Sequence, residues 1–116
     1  MDKAPAPPAA TLKPGLQKST TFDLVTLVDY RPESIVSRVL GSGAVTLFAF
    51  DAGQSLSEHS TPMDALVQVL EGHATIVIAG KPHLLGAGQI ILMPANVPHG
   101  LQATTRFKML LTMYRV

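Results

Sequence analysis

The chain has 116 residues, 47% of them hydrophobic and only 15% charged, with a net charge of +1. That size suits one domain with one modest core. The near-neutral charge without a Lys/Arg block, and only four Phe and two Tyr, exclude a nucleic-acid groove or base-stacking platform, and the absence of cysteine excludes disulfides, thiolate metal sites and thiol catalysis.

Residues 1–21 are rich in Pro, Ala, Thr and Lys. This composition predicts a flexible, solvated tail ahead of a single domain over 22–116. Nothing there has the apolar core of a secretory signal, and no run is long enough to cross a membrane, so the expected location is the cytoplasm.

Phe22–Asp29 reads as a β-rich run broken at Tyr30-Arg31-Pro32. Ile35–Leu40 and Ala44–Phe50 read as strands around a Gly41-Ser42-Gly43 turn. After a further turn at Asp51-Ala52-Gly53 comes Leu56–Leu70, interrupted at Pro62. Alternate residues of a strand share a face. Counting from His59, one face therefore carries Thr61, Met63, Ala65, Val67 and Val69, whereas Glu58 and Asp64 fall on the other. Glu71-Gly72 reads as a two-residue hairpin turn into Ala74–Ala79, which would point His73 away from the His59 face. Gly80-Lys81-Pro82 and Gly86-Ala87-Gly88 read as turns around a short His83–Leu85 strand. Gln89–Met93 follows, then the loop Pro94–Pro98 leading into His99, and a terminal strand over Arg106–Arg115.

Many short strands with closely spaced turns predict an all-β sandwich or closed barrel. Such a fold would bring His59 and His99 to one mouth. The expected pocket is His59, Thr61, Met63, Ala65, Val67, Ile76, His99 and Phe107, which suits a small, mostly apolar molecule held at its polar end by the histidines. The high apolar content, with Leu66, Leu70 and Val77 on the outer face, leads us to expect a homodimer.

Two segments carry a family resemblance. Gly53, then His59 after five residues, and a closing Gly72 match the first signature segment of the cupin superfamily; Gly88, then Pro94 after five residues, and His99 match the second. The chain thus resembles the cupins over about residues 35–114. The resemblance implies a jelly-roll barrel, also called a double-stranded β-helix and typified by RmlC-like proteins. It also implies a metal held by His, His, Glu and a further His. Of these, His59 and His99 carry over; Thr61 stands at the second His position, Ala65 at the Glu position and Ala103 at the final Asn position. Three readings follow. The first is a binding module with a small-molecule ligand. The second is a metal-dependent oxygenase or isomerase, with Fe, Mn, Ni or Zn on His59, His99 and an unidentified third ligand. The third is a metal-free enzyme using a His general base. The catalytic residues are not identified by the sequence.

Overall fold

The computed structural model describes residues 16–41 and 43–115. Most of the expected tail (1–15) and Ser42 of the expected Gly41-Ser42-Gly43 turn lie outside the described residues.

Eight antiparallel strands form a curled sheet: β1 Ile35–Val39, β2 Val45–Phe50, β3 Ser55–His59, β4 Asp64–Ile78, β5 Lys81–Gly86, β6 Ile90–Met93, β7 His99–Gln102 and β8 Phe107–Tyr114. The order is β1-β2-β8-β4-β7-β3, with β5 and β6 also paired to β4. This is the expected all-β jelly-roll barrel.

The long β4 makes the barrel close, and here the expected hairpin is overturned. Glu71-Gly72 is not a turn, because β4 runs unbroken from Asp64 to Ile78. Its first half pairs with β8 and β6, its second with β5 and β7. Between Val69, opposite Met109, and Glu71, opposite Lys108, the register slips by one residue. Such a bulge bends the strand and resets which side chains face inward. Ala65, Val67 and Val69 are buried before it, and Ala74 and Ile76 after it. Gly72 sits in this bend at φ +74, and a Cβ there would overlap the Arg106 carbonyl. His73 is exposed as expected, but the bulge rather than a hairpin turns it outward.

The real hairpin turn after β4 is Ala79-Gly80, at φ 50 and 81, the paired positive φ of a two-residue hairpin loop. The turn expected at Gly80-Lys81-Pro82 is thereby shifted. Lys81 and Pro82 already belong to β5, and an edge strand tolerates the missing Pro N–H. A strand not anticipated at all is β7, four residues long and with Gly100 within it.

The core lies between the inner faces. Phe50, Val67, Val69, Ile76, Phe107 and Met109 are all essentially inaccessible, and Phe50 stacks on Phe107 with ring centroids 4.5 Å apart. A second cluster lies on the outer face around Leu47 and Ala49, and it corrects another expectation. Phe22–Asp29 is not a strand but holds a single 3-10 turn, Leu24–Leu27. Leu24, Leu27 and Val28 are spaced three and four apart, which puts them on one side of a helical turn rather than alternating. They pack with Tyr30 on the outer apolar face beside Leu70 and Leu110. The segment is pinned by the Lys108 ammonium donating to the Val25 carbonyl at 2.6 Å and by the Tyr30 hydroxyl donating to Glu71 at 2.6 Å. Burial, and then the Glu71 carboxylate, push the Tyr30 hydroxyl well above its usual range. Part of the apolar face expected to meet a second subunit is thus covered by the chain's own N-terminal segment, whereas Ile90 and Leu92 stay open at 61% and 43% exposure.

Candidate functional site

His99 opens β7 and His59 closes β3. The two residues are opposite one another in the ladder, and their rings meet edge to face with centroids 4.6 Å apart. This arrangement depends on a second bulge. Leu56 pairs with Leu101 and His59 with His99, so Ser57 and Glu58 together oppose the single residue Gly100. In a regular ladder Glu58 would stand opposite His99; the extra residue puts His59 there instead and leaves Glu58 exposed. Gly100 leaves the space the bulge fills, because a Cβ there would lie 2.9 Å from the Leu56 carbonyl oxygen and 3.3 Å from the Glu58 nitrogen.

The loop before His99 is fastened to the segment after His59. The Asn96 N–H donates to the Thr61 carbonyl at 2.7 Å, and the Ala95 N–H to the Asp64 carboxylate at 2.8 Å. At the other side of β7, the Ala79 N–H donates to the Pro98 carbonyl at 2.9 Å. Asp64 is therefore a positioning residue, a role that parity along the strand could not reveal.

The two imidazoles have different surroundings. His59 is exposed, and its Nδ1 lies 3.0 Å from the Ser57 carbonyl. Nδ1 is then the protonated nitrogen, and Nε2 is left free as an acceptor. His99 is 4% exposed, and its Nδ1 is buried without a hydrogen-bond partner. Burial, and then the neighbouring His59, hold the His99 pKa below its usual 6.5; the nearby Val97 carbonyl, which does not reach hydrogen-bond geometry with the ring, pulls weakly the other way. His99 is thus neutral in the folded protein at pH values where an unfolded chain would protonate it. Stability linked to His99 is present above about pH 6.5 and declines as pH falls below it, by at most about 1.4 kcal/mol per pH unit. Urea titrations of the wild type and His99→Leu from pH 7.5 to 5 should show this extra acid loss in the wild type alone; equal pH slopes would refute it.

Of the other expected pocket residues, Thr61, Met63 and Ala65 lie at the same end of the barrel, where β3 passes into β4. Ala65 is flanked on its two neighbouring strands by Met93 and Met113. Val67 and Ile76 lie one inward-facing residue deeper and are fully buried. Phe107 is not brought to the histidines: it is at the far end of β8 from Met113, about 20 Å along the strand, in the stack with Phe50. His83, which the sequence left unplaced, faces inward opposite Ile76, its Nδ1 also buried and unpartnered. A separate cavity of about 180 Å³ opens at the second bulge, lined by Ser55, Ser57, Glu58, Val77, Gly100 and Gln102.

The fold, the paired histidines and the spacing of Gly53, His59, Gly72, Gly88 and His99 agree with the comparison to known families, in which the cupin domain model matches residues 46–113. The chain belongs to the cupin family. A conserved Streptococcus pyogenes protein of unknown function is 33% identical, with 88% of this chain and 92% of that one aligned at a TM-score of 0.81. A cupin 2 conserved barrel domain protein from Leptotrichia buccalis is 37% identical over 81% of this chain and 47% of its own, at a TM-score of 0.76. A point mutant of salicylate 1,2-dioxygenase from Pseudoaminobacter salicylatoxidans shares the fold at 23% identity, covering 69% of this chain but 25% of that enzyme, at a TM-score of 0.61. No curated protein matches the sequence.

Cupins often bind metals, and the fit of this chain can be judged from its donors. A catalytic metal is ordinarily held by about three protein ligands with a further position open. Among the described residues, no group of three His, Cys, Asp or Glu side chains is placed to hold an ion. His59 and His99 do not by themselves fit such a centre. Nor, among the described residues, is any helix long and apolar enough to cross a membrane.

Proposed function

We propose that this cupin domain protein binds a small, mostly apolar molecule at the barrel mouth, with His59 and His99 fixing its polar end. The observation that carries this reading is the His99 Nδ1, buried and unpartnered beside an imidazole whose Nε2 is free. Leaving a buried polar atom unsatisfied costs about 1–3 kcal/mol. A site that keeps one next to an exposed partner is suited to pairing it with an incoming group. The neighbouring Met63, Ala65, Met93 and Met113 supply an adaptable apolar wall.

The test is a thermal-shift screen of the protein against a broad metabolite panel. At least one compound should raise the midpoint by several degrees, and His99→Ala should remove that response. The absence of stabilisation by every member would overturn the reading.

A second reading, a metal-free enzyme with a His general base, is favoured by one observation: His99 is held neutral, the state a base requires. The ring oriented by a hydrogen bond is instead His59, and its partner is the Ser57 carbonyl rather than a carboxylate. The binding reading therefore comes first. A metal-dependent oxygenase or isomerase draws support from the fold shared with the dioxygenase but not from the donor set.

A further inference from the structure

We infer that His59 and His99 form a metal-free imidazole pair, because no third His, Asp or Glu among the described residues is grouped with them to hold an ion, and the Thr61 and Asp64 side chains beside them are committed elsewhere. The Thr61 hydroxyl donates to the Met63 carbonyl at 3.0 Å and accepts from the Met63 N–H at 3.4 Å. The Asp64 carboxylate accepts the Ala95 N–H that fastens the loop before His99. Turning that oxygen toward a metal would break one of the ties that hold the loop. The second bulge leaves Glu58 on the wall of the outer cavity. His73 is exposed, carried outward by the first bulge.

His83 is the strongest challenger, since it faces inward with an unpartnered nitrogen. Its strand lies on the far side of β4 from β7: His83 opposes Ile76, and His99 opposes Ile78. Two strand spacings across and two residues along put the Cα atoms of His83 and His99 about 12 Å apart, with the isoleucines between. Among the described residues, His83 is accordingly not grouped with His59 and His99 around a position that an ion could occupy. At the remaining ligand position Ala65 offers a methyl group between Met93 and Met113, where a carboxylate would have to be buried among apolar side chains.

What remains is two nitrogen donors. The His59 Nδ1 is turned to the Ser57 carbonyl, so that ring supplies only its Nε2 to the site. The mouth is therefore short of ligands rather than poorly shaped, and the pair works by hydrogen bonding and proton exchange.

The experiment measures metal on the full-length, untagged protein by elemental mass spectrometry, then titrates Zn2+, Mn2+, Ni2+ and Fe2+ calorimetrically. The wild type is compared with the His59→Ala/His99→Ala double variant and with Thr61→His. We expect background metal in the purified wild type and no resolvable difference in Zn2+ affinity from the double variant. Thr61→His, which adds a third imidazole, should bind Zn2+ about 100-fold more tightly than wild type. Near-stoichiometric metal in the wild type that the double variant loses would overturn the inference. So would a folded Thr61→His with no gain, since ligand number would not then be what the site lacks. This result is separable from the ligand-binding reading, whose thermal-shift screen can be repeated in chelator.

Discussion

Replacing Gly72 by valine should destabilise the protein by about 4 kcal/mol, combining the strain of a non-Gly residue at positive φ with the cost of forcing atoms into occupied space. The site is unusual because both costs fall on backbone. Gly72 has φ +74, and the atoms a Cβ would meet are the Arg106 carbonyl and the Phe107 Cα, the latter at 2.9 Å. Neither can rotate away, because Phe107 begins β8 and pairs with Gly72 itself. Gly53 is the matched control: its φ is +86, but nothing lies within 4 Å of the added atom. Gly53→Ala should cost only the conformational share, about 1–2 kcal/mol. By thermal melts, each kcal/mol is worth about 4–8 °C in a domain of this size, so the two variants should be separated by at least about 8 °C. Equal midpoints would mean that β4 relaxes at its bend and that the bulge does not fix the barrel's closure.

That bend is also where the sequence is least transparent. Alternation along Ala65, Val67 and Val69 is legible and holds, because a half-buried strand has period two. The same rule fails at Glu71-Gly72, since a two-residue turn and a one-residue bulge both call for a Gly at positive φ in a break between apolar runs. Only the pairing partner distinguishes them, and that partner, β8, lies about 40 residues downstream. The segment around Leu24–Leu27 misleads for another reason. It is rich in β-branched and aliphatic residues, yet tertiary packing on Leu47 and Ala49 selects a helical turn. At the site, the His59–His99 pair is legible from the family spacing. Its tethering by Asp64 is not, because the contact is made to the backbone of Ala95, which carries no side-chain signal. His83 could not be placed for the same reason that the turn before it was misplaced by one residue: a shift of one exchanges inside for outside.

The histidine pair should be most vulnerable at a residue that carries no functional group. Gly100→Val places a branched side chain where even a Cβ would press on the Leu56 carbonyl oxygen and the Glu58 nitrogen. The edge strand β3 is the softer partner: it is short and exposed at four of its five residues, whereas β7 is held on its other side by β4. The strain should therefore lift β3 and carry His59 off His99, at a global cost of about 2 kcal/mol. The variant should stay folded by circular dichroism, lose the ring-to-ring nuclear Overhauser contact expected for centroids 4.6 Å apart, and lose any ligand response that His99→Ala also removes. The His99 pKa should rise only partway toward its usual range, since burial is the larger cause of its depression and His59 the smaller. A full return would mean that β7 itself had opened. A folded Gly100→Val protein that keeps the contact between the rings would show that the space opposite Ser57 and Glu58 does not set the position of His59, and that the fastening of the Pro94–Pro98 loop by Thr61 and Asp64 alone holds the pair together.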